Sequence, residues 1–142
     1  MQKKNLFIIV LALLCFTSCN NYGKKATKGH IETYYKEGIT EDQAKRASEV
    51  MYNVDEEAHN AKSQKSFQLC KVNDTVCFRM VVNSEKAKEI GDFSFLAIAN
   101  IISDSVFNGA PVNMDLTNNK FESIKTIAYK KIGLEDIEKA DH

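Results

Sequence analysis

The chain has no tryptophan, a single proline, three histidines and a formal net charge of zero over 142 residues. A nucleic-acid partner wants a basic face, and 19 Lys plus Arg set against 19 Asp plus Glu give no basic excess. No nucleic-acid binding is therefore expected. His30, His59 and His142 are too scattered for two of them to share a metal, so surface histidines and no metal are expected. No Gly-x-Ser-x-Gly, phosphate loop or dinucleotide-binding glycine pattern occurs, and no serine or cysteine has an evident base beside it. The chain is not expected to be an enzyme, nor to carry a cofactor. It has no internal repeat.

What is present begins at the amino terminus. Lys3 and Lys4 precede an unbroken apolar run over residues 6 to 16, and Thr17 and Ser18 lead to Cys19. Basic, apolar, then small is the order of a secretion signal. At about 1.5 Å per helical residue the run reaches roughly 16 Å, half of a hydrocarbon core of about 30 Å, which is short for a transmembrane helix. Phe16-Thr17-Ser18-Cys19 resembles the lipobox of bacterial lipoproteins, with Phe16 where leucine is usual. The resemblance implies cleavage before Cys19, a diacylglycerol on its thiol, and membrane anchorage through palmitate-type acyl chains. Each buried CH₂ contributes about 0.8 kcal/mol, and more than one chain holds stably. Asn20 follows the cysteine and no acidic cluster comes directly after it. In Gram-negative lipoproteins that pattern implies the outer membrane, here on its periplasmic face. An ordinary signal peptide followed by an ordinary cysteine is the alternative.

Removing residues 1 to 18 from the 142, and Lys3 and Lys4 with them, leaves 124 residues. These hold 17 Lys plus Arg against 19 Asp plus Glu, a net charge of −2. That length is one domain with a real core. Residues 19 to 29 are polar, contain two glycines and read as the lipidated cysteine and a flexible tether with a reach of about 20 Å. Residues 30 to 130 form the domain, and residues 131 to 142 a polar tail or frayed short helix.

Residues 31 to 35 read as a strand ended at Gly38. Thr40-Glu41-Asp42-Gln43 is a capping box. Ala44, Ala47, Met51, Val54, Ala58 and Ala61 then follow at helical spacing, giving a helix over 41 to 60 whose small inward face suits close packing on a sheet. Residues 67 to 70 and 76 to 82 flank Asn73-Asp74 as a hairpin. With those two as the turn, Leu69 faces Phe78, Phe67 faces Met80, Gln68 faces Arg79 and Cys70 faces Cys77. A second helix, capped by Ser84, covers 85 to 107 and stops at Asn108-Gly109 before Pro111. Val112, Met114 and Leu116 alternate as a strand, and residues 121 to 129 read as a further strand, with threefold apolar spacing that also allows a helix. The order β-α-β-β-α-β, with one added C-terminal strand as a variant, predicts an α+β fold of the ferredoxin-like split βαβ type. Two helices would lie on one face of an antiparallel sheet and leave the other open. A plain helix-hairpin packing without residues 31 to 35 is the alternative. Phe78-Arg79-Met80-Val81-Val82 and Val106-Phe107-Asn108-Gly109-Ala110-Pro111-Val112 resemble small uncharacterised bacterial envelope domains over residues 31 to 127. The likeness supports the element order and implies no activity.

Two features carry candidate chemistry. Cys15 leaves with the signal and Cys19 is lipidated, so Cys70 and Cys77 remain, opposite one another across the hairpin. A structural disulfide, two free thiols, and a redox or metal site are three open readings, although the spacing is not that of a redox or zinc knuckle. Tyr34, Tyr35, Gln68 and Arg79 are expected to share the open sheet face, where aromatics and arginine suit a protein partner. Merely covering the sheet is the equal alternative. Asp55-Glu56-Glu57 reads as a solvated helix face without the loop of a calcium site. The expectation is a non-catalytic, lipid-anchored envelope module that binds an envelope protein or component through its sheet face. A redox- or ligand-responsive module centred on Cys70 and Cys77 is the alternative.

Overall fold

The computed structural model describes residues 21–59 and 63–140. Cys19, the signal segment and His142 lie outside the described residues. The elements run β1 (Lys24–Lys28), β2 (Ile31–Tyr35), α1 (Glu41–Glu57), β3 (Lys65–Val72), β4 (Thr75–Val81), α2 (Ser84–Ile90), α3 (Asp92–Val106), β5 (Val112–Thr117), β6 (Ser123–Ile127) and α4 (Leu134–Ala140). The strands form one six-stranded sheet in sequential order, β1 to β6. β1–β2, β3–β4 and β5–β6 are antiparallel, while β2–β3 and β4–β5 are parallel.

This corrects the ferredoxin-like expectation. In a split βαβ unit the crossover skips a strand and the sheet is wholly antiparallel. Here each crossover lands on the adjacent strand, so the sheet is mixed and two hairpins extend it at its edges. β1 lies in the stretch whose composition reads as tether. Of Lys24, Lys25, Ala26, Thr27 and Lys28 only Ala26 is buried, because an edge strand under a helix needs one inward position and leaves the rest to solvent. The second helix also differs. It is interrupted at Gly91 (φ 75°), and its cap is Asn83, whose side chain accepts from the amides of Glu85 and Lys86.

Local chemistry explains the elements that match. Thr40 Oγ1 accepts from the Gln43 amide at 3.1 Å, while Gln43 Oε1 accepts from the Thr40 amide at 2.9 Å. These bonds satisfy two amides that the start of α1 leaves over. Asn73 and Asp74 both take positive φ, 50° and 62°, the conformation a two-residue hairpin turn requires. The β3–β4 register pairs Phe67 with Met80, Leu69 with Phe78, Gln68 with Arg79 and Cys70 with Cys77.

Pleat alternation gives the sheet two unlike faces. On one lie Ile31, Thr33, Tyr35, Phe67, Leu69, Val76, Phe78, Val112, Met114 and Leu116, all buried. α1 packs on this face over β1 and β2, α3 packs over β5 and β6, and the two helices touch. Ala44 and Ala47 let α1 lie close, and its buried Ser48 donates to Thr33 Oγ1 at 2.8 Å. Both crossovers step the same way across the sheet on this face, yet β2 and β3 run opposite to β4 and β5. The two crossovers therefore have opposite hands, and one is of the left-handed kind that about 98% of such connections avoid. The functional consequence is positional. Both long helices sit over the outer strands, and the central pair β3–β4 is roofed only where side chains reach in from each side.

Candidate functional site

Helix-side roofing is incomplete at one end of the sheet. A groove of about 670 Å³ opens there, lined by Ile31, Met51, Phe67, Met80, Ile90 and Phe95 among others. Its size falls within the range of about 300–1,000 Å³ typical of small-molecule sites. Phe67 in its floor stacks on Phe78 at 5.2 Å. Lys65, Lys86, Asp55, Gln64 and Asn83 are among the polar residues of its lining. Lys65 is paired with Asp55, whereas Lys86 makes no ion pair among the described residues.

Within that lining, Asp55 is 5% exposed. His30 Nε2 meets its Oδ2 at 2.6 Å, and Lys65 Nζ meets its Oδ1. Asp55 is thus not part of a solvated face, unlike exposed Glu57. His30 is largely buried, against the expectation of a surface histidine, and its ring lies 5.4 Å from Tyr52. The Lys65 amide donates to the His30 carbonyl at 3.0 Å. These bonds tie the β1–β2 turn, the last turn of α1 and the start of β3 together. They fix the wall of the groove. His59 is exposed at the end of α1, with φ 51°.

The other sheet face is polar and is not open. One rung crosses it from Tyr34 through Gln68, Arg79 and Asp115 to Thr126. Arg79 Nη1 donates to Gln68 Oε1 at 2.9 Å and Nε donates to Asp115 Oδ2 at 3.2 Å. Ser123 and Thr126 hydroxyls also donate to Asp115. Gln68 Nε2 donates to the Tyr22 carbonyl at 2.8 Å. The chain entering β1 therefore lies over this face. Tyr22, Tyr34 and Phe121 pack edge to face, with centroids 5.2 to 5.8 Å apart. Gln68 is 1% exposed and Asp115 3%. Of the four residues expected to share an open face, Tyr34, Gln68 and Arg79 do share one, but their polar atoms are engaged within the fold. Tyr35 is on the opposite face, in the core beneath α1, because neighbours along a strand point to opposite sides.

Cys70 and Cys77 occupy the next rung of the polar face. Both thiols are free and buried. The hydrogen bond from the Cys77 thiol is the largest influence on Cys70 and lowers it to about 7, with burial opposing and the nearby charges of Arg79 and Lys36 assisting. Cys77 is pushed up by the same bond and by burial. Among the described residues no group of three or more histidine, cysteine and acidic side chains is placed to hold a metal. No helix among them is long and apolar enough to cross a membrane.

The mixed sheet with its terminal hairpins, a covered polar face and a helix-side groove describes a small α+β domain. Residues 25–128 match the model of AF_1994_N, described as a family N-terminal domain, and the chain belongs to that family. No curated protein and no solved structure matches it.

Three functional elements were not readable in the sequence. His30 and Asp55 lie 25 positions apart and Arg79 and Asp115 lie 36 apart, so no local spacing links them. Tyr22 is in a stretch whose composition reads as linker, and its packing on Phe121 depends on the whole sheet lying between them.

Proposed function

We propose that this is a non-catalytic, lipid-anchored binding protein of the cell envelope, held through acylated Cys19 at the periplasmic face of the outer membrane. Its groove between α1 and α2–α3 takes a small apolar carboxylate. The groove itself carries the reading: apolar walls, a volume of about 670 Å³ and lysine side chains in the lining. Apolar walls hold a hydrocarbon body, and the Lys86 ammonium, which pairs with no carboxylate among the described residues, suits an anionic head. The anchor argument rests on the order Lys3-Lys4, apolar run, Phe16-Thr17-Ser18-Cys19. Just ahead of β1, Tyr22 lies on the polar face, the side of the sheet away from the groove, which leaves the groove free for a ligand.

The absence of tryptophan gives a direct assay. Ile90 lines the groove and is 53% exposed, so Ile90→Trp places the sole indole there without disturbing the core. In the Cys19→Ser form, which has no acylation site, dodecanoate should change the indole emission saturably. Lys86→Glu should weaken that response about tenfold, the equivalent of about 1.4 kcal/mol. Dodecanol matching dodecanoate would refute the anionic head, and no saturable response to either would refute the groove. Intact mass of the membrane-extracted protein tests the anchor separately. A diacylglyceryl adduct on a chain beginning at Cys19 is expected, and an unlipidated mass overturns it.

A further inference from the structure

We propose that Cys70 and Cys77 form a reversible intramolecular thiol–disulfide couple, oxidised by a peroxide and reduced by a dithiol. The two residues are direct partners in the β3–β4 ladder. With Asn73 and Asp74 as a two-residue turn, their rung is a hydrogen-bonded one, at which α-carbons stand about 5.5 Å apart. That spacing is within the range a disulfide spans, about 4.4 to 6.8 Å. Their side chains leave the same face of the sheet, directly across the ladder from one another.

The surroundings suit cycling rather than permanent stapling. A disulfide gains most from closing a long loop. Here the hairpin already holds both ends of a short one, so the crosslink removes little freedom that the fold has not removed. Both residues are nearly inaccessible, 4% and 5% exposed, which favours a small oxidant over a protein disulfide. Arg79 is on the adjacent rung of the same face, and its charge supports a thiolate at Cys70.

The chemistry balances as follows. The Cys70 thiolate attacks one peroxide oxygen, the O–O bond breaks, and hydroxide leaves, giving a sulfenic acid at Cys70. The Cys77 sulfur then attacks Cys70 Sγ, the S–O bond breaks, and the Cys77 proton leaves with that oxygen as water. Overall two thiols and one hydrogen peroxide give one disulfide and two waters, with two electrons passing from sulfur to oxygen. A dithiol returns two electrons and two protons and becomes its own cyclic disulfide.

The test uses the wild-type protein in its native membrane. It is exposed to hydrogen peroxide, quenched, alkylated with iodoacetamide under denaturing conditions and weighed. Without peroxide, after dithiothreitol, Cys70 and Cys77 should both carry the alkyl group. After peroxide neither should, and native dithiothreitol without denaturant should restore both. Three results would overturn the proposal: thiols that remain alkylatable after peroxide, oxidation that ends as sulfinic or sulfonic acid on Cys70, or a disulfide that dithiothreitol opens only in denaturant. Protection from alkylation that a chelator relieves would assign the pair to a metal and would also overturn it. The wild-type protein suffices for every arm. Cys77→Ser adds a control, in which peroxide should leave Cys70 as a sulfenic or higher acid instead of a disulfide.

Discussion

Asp55→Ala should destabilise the domain by about 3 kcal/mol. The carboxylate is 5% exposed and meets His30 Nε2 at 2.6 Å and Lys65 Nζ on its other oxygen. A hydrogen bond to a charged group contributes about 1.5–3 kcal/mol. The Lys65 pair adds less. A third of that lysine side chain is in solvent, so its ammonium swings into water when the partner goes, and about 0.5–1 kcal/mol is a fair share. His30 has only 11% of its side chain exposed and cannot escape as easily. Asp55→Asn keeps one acceptor for His30 and should cost about 1–2 kcal/mol, chiefly through lost charge. For a domain of this size the alanine change corresponds to roughly 10 °C in Tm. Urea titration and thermal melts of both variants measure this, and a His30→Gln/Asp55→Asn double-mutant cycle should return a coupling of about 1 kcal/mol or more. Asp55→Ala within about 0.5 kcal/mol of the native protein would refute the reasoning. It would return Asp55 to the solvated acidic face that Asp55-Glu56-Glu57 suggests.

Alkylation of Cys70 by a small neutral reagent should follow the thiolate, rising with pH through a midpoint of about 7 and levelling above it. In Cys77→Ala the largest lowering influence is gone while burial remains, so the midpoint should move up from about 7. An unchanged midpoint would deny Cys77 its part. Gly23→Ala should loosen the entering strap, because φ is +94° and an added Cβ would stand 2.2 Å from the Tyr35 carbonyl oxygen. A cost of about 1–3 kcal/mol and faster tryptic cleavage at Lys24 and Lys25 are expected; melting and cleavage both equal to wild type would show that the strap is not held.

What was legible in the sequence was local. The capping box at Thr40 and Gln43, the Ala44–Ala47–Met51 stripe and the Asn73-Asp74 turn each specify a conformation within a few residues, and each is where its chemistry puts it. Strand order is a different kind of quantity. Ile31 to Tyr35 looks the same whether its parallel neighbour is one strand or two strands away, since both placements bury Ile31, Thr33 and Tyr35. β1 was hidden for a related reason. A strand buried at Ala26 alone has the composition of a linker, and its presence follows from α1 needing a second strand beneath it. The candidate site suffered most. Placing Tyr34 and Tyr35 on one face conflicts with the strand's own alternation, which the pattern could have resolved. The closure of the polar face by Tyr22 and Phe121 could not be resolved from pattern, because it joins the two ends of the domain.

The groove follows from the topology, and the residues around it leave it open. With α1 over β1–β2 and α3 over β5–β6, the central strands depend on large side chains reaching inward. Ile102, Val106, Leu69 and Val76 belong to the one core cluster and are all buried. At the groove, the wall contributed by α2 and α3 sets Ala87 and exposed Ser94, two small residues, among Ile90, Phe95 and Ile98. Filling such a space with apolar side chains is an easy route to stability, worth about 0.5–2 kcal/mol per site where the room exists. The double change Ala87→Leu and Ser94→Leu should therefore raise Tm while removing the dodecanoate response of the Ile90→Trp reporter. Stability and binding would move in opposite directions, as expected where an unfilled volume is kept for a ligand. If the double variant is less stable than its parent, the space is already occupied by side-chain motion that the leucines obstruct. If it is more stable and still binds, the carboxylate sits elsewhere, and the groove is only the gap that two outlying helices leave between them.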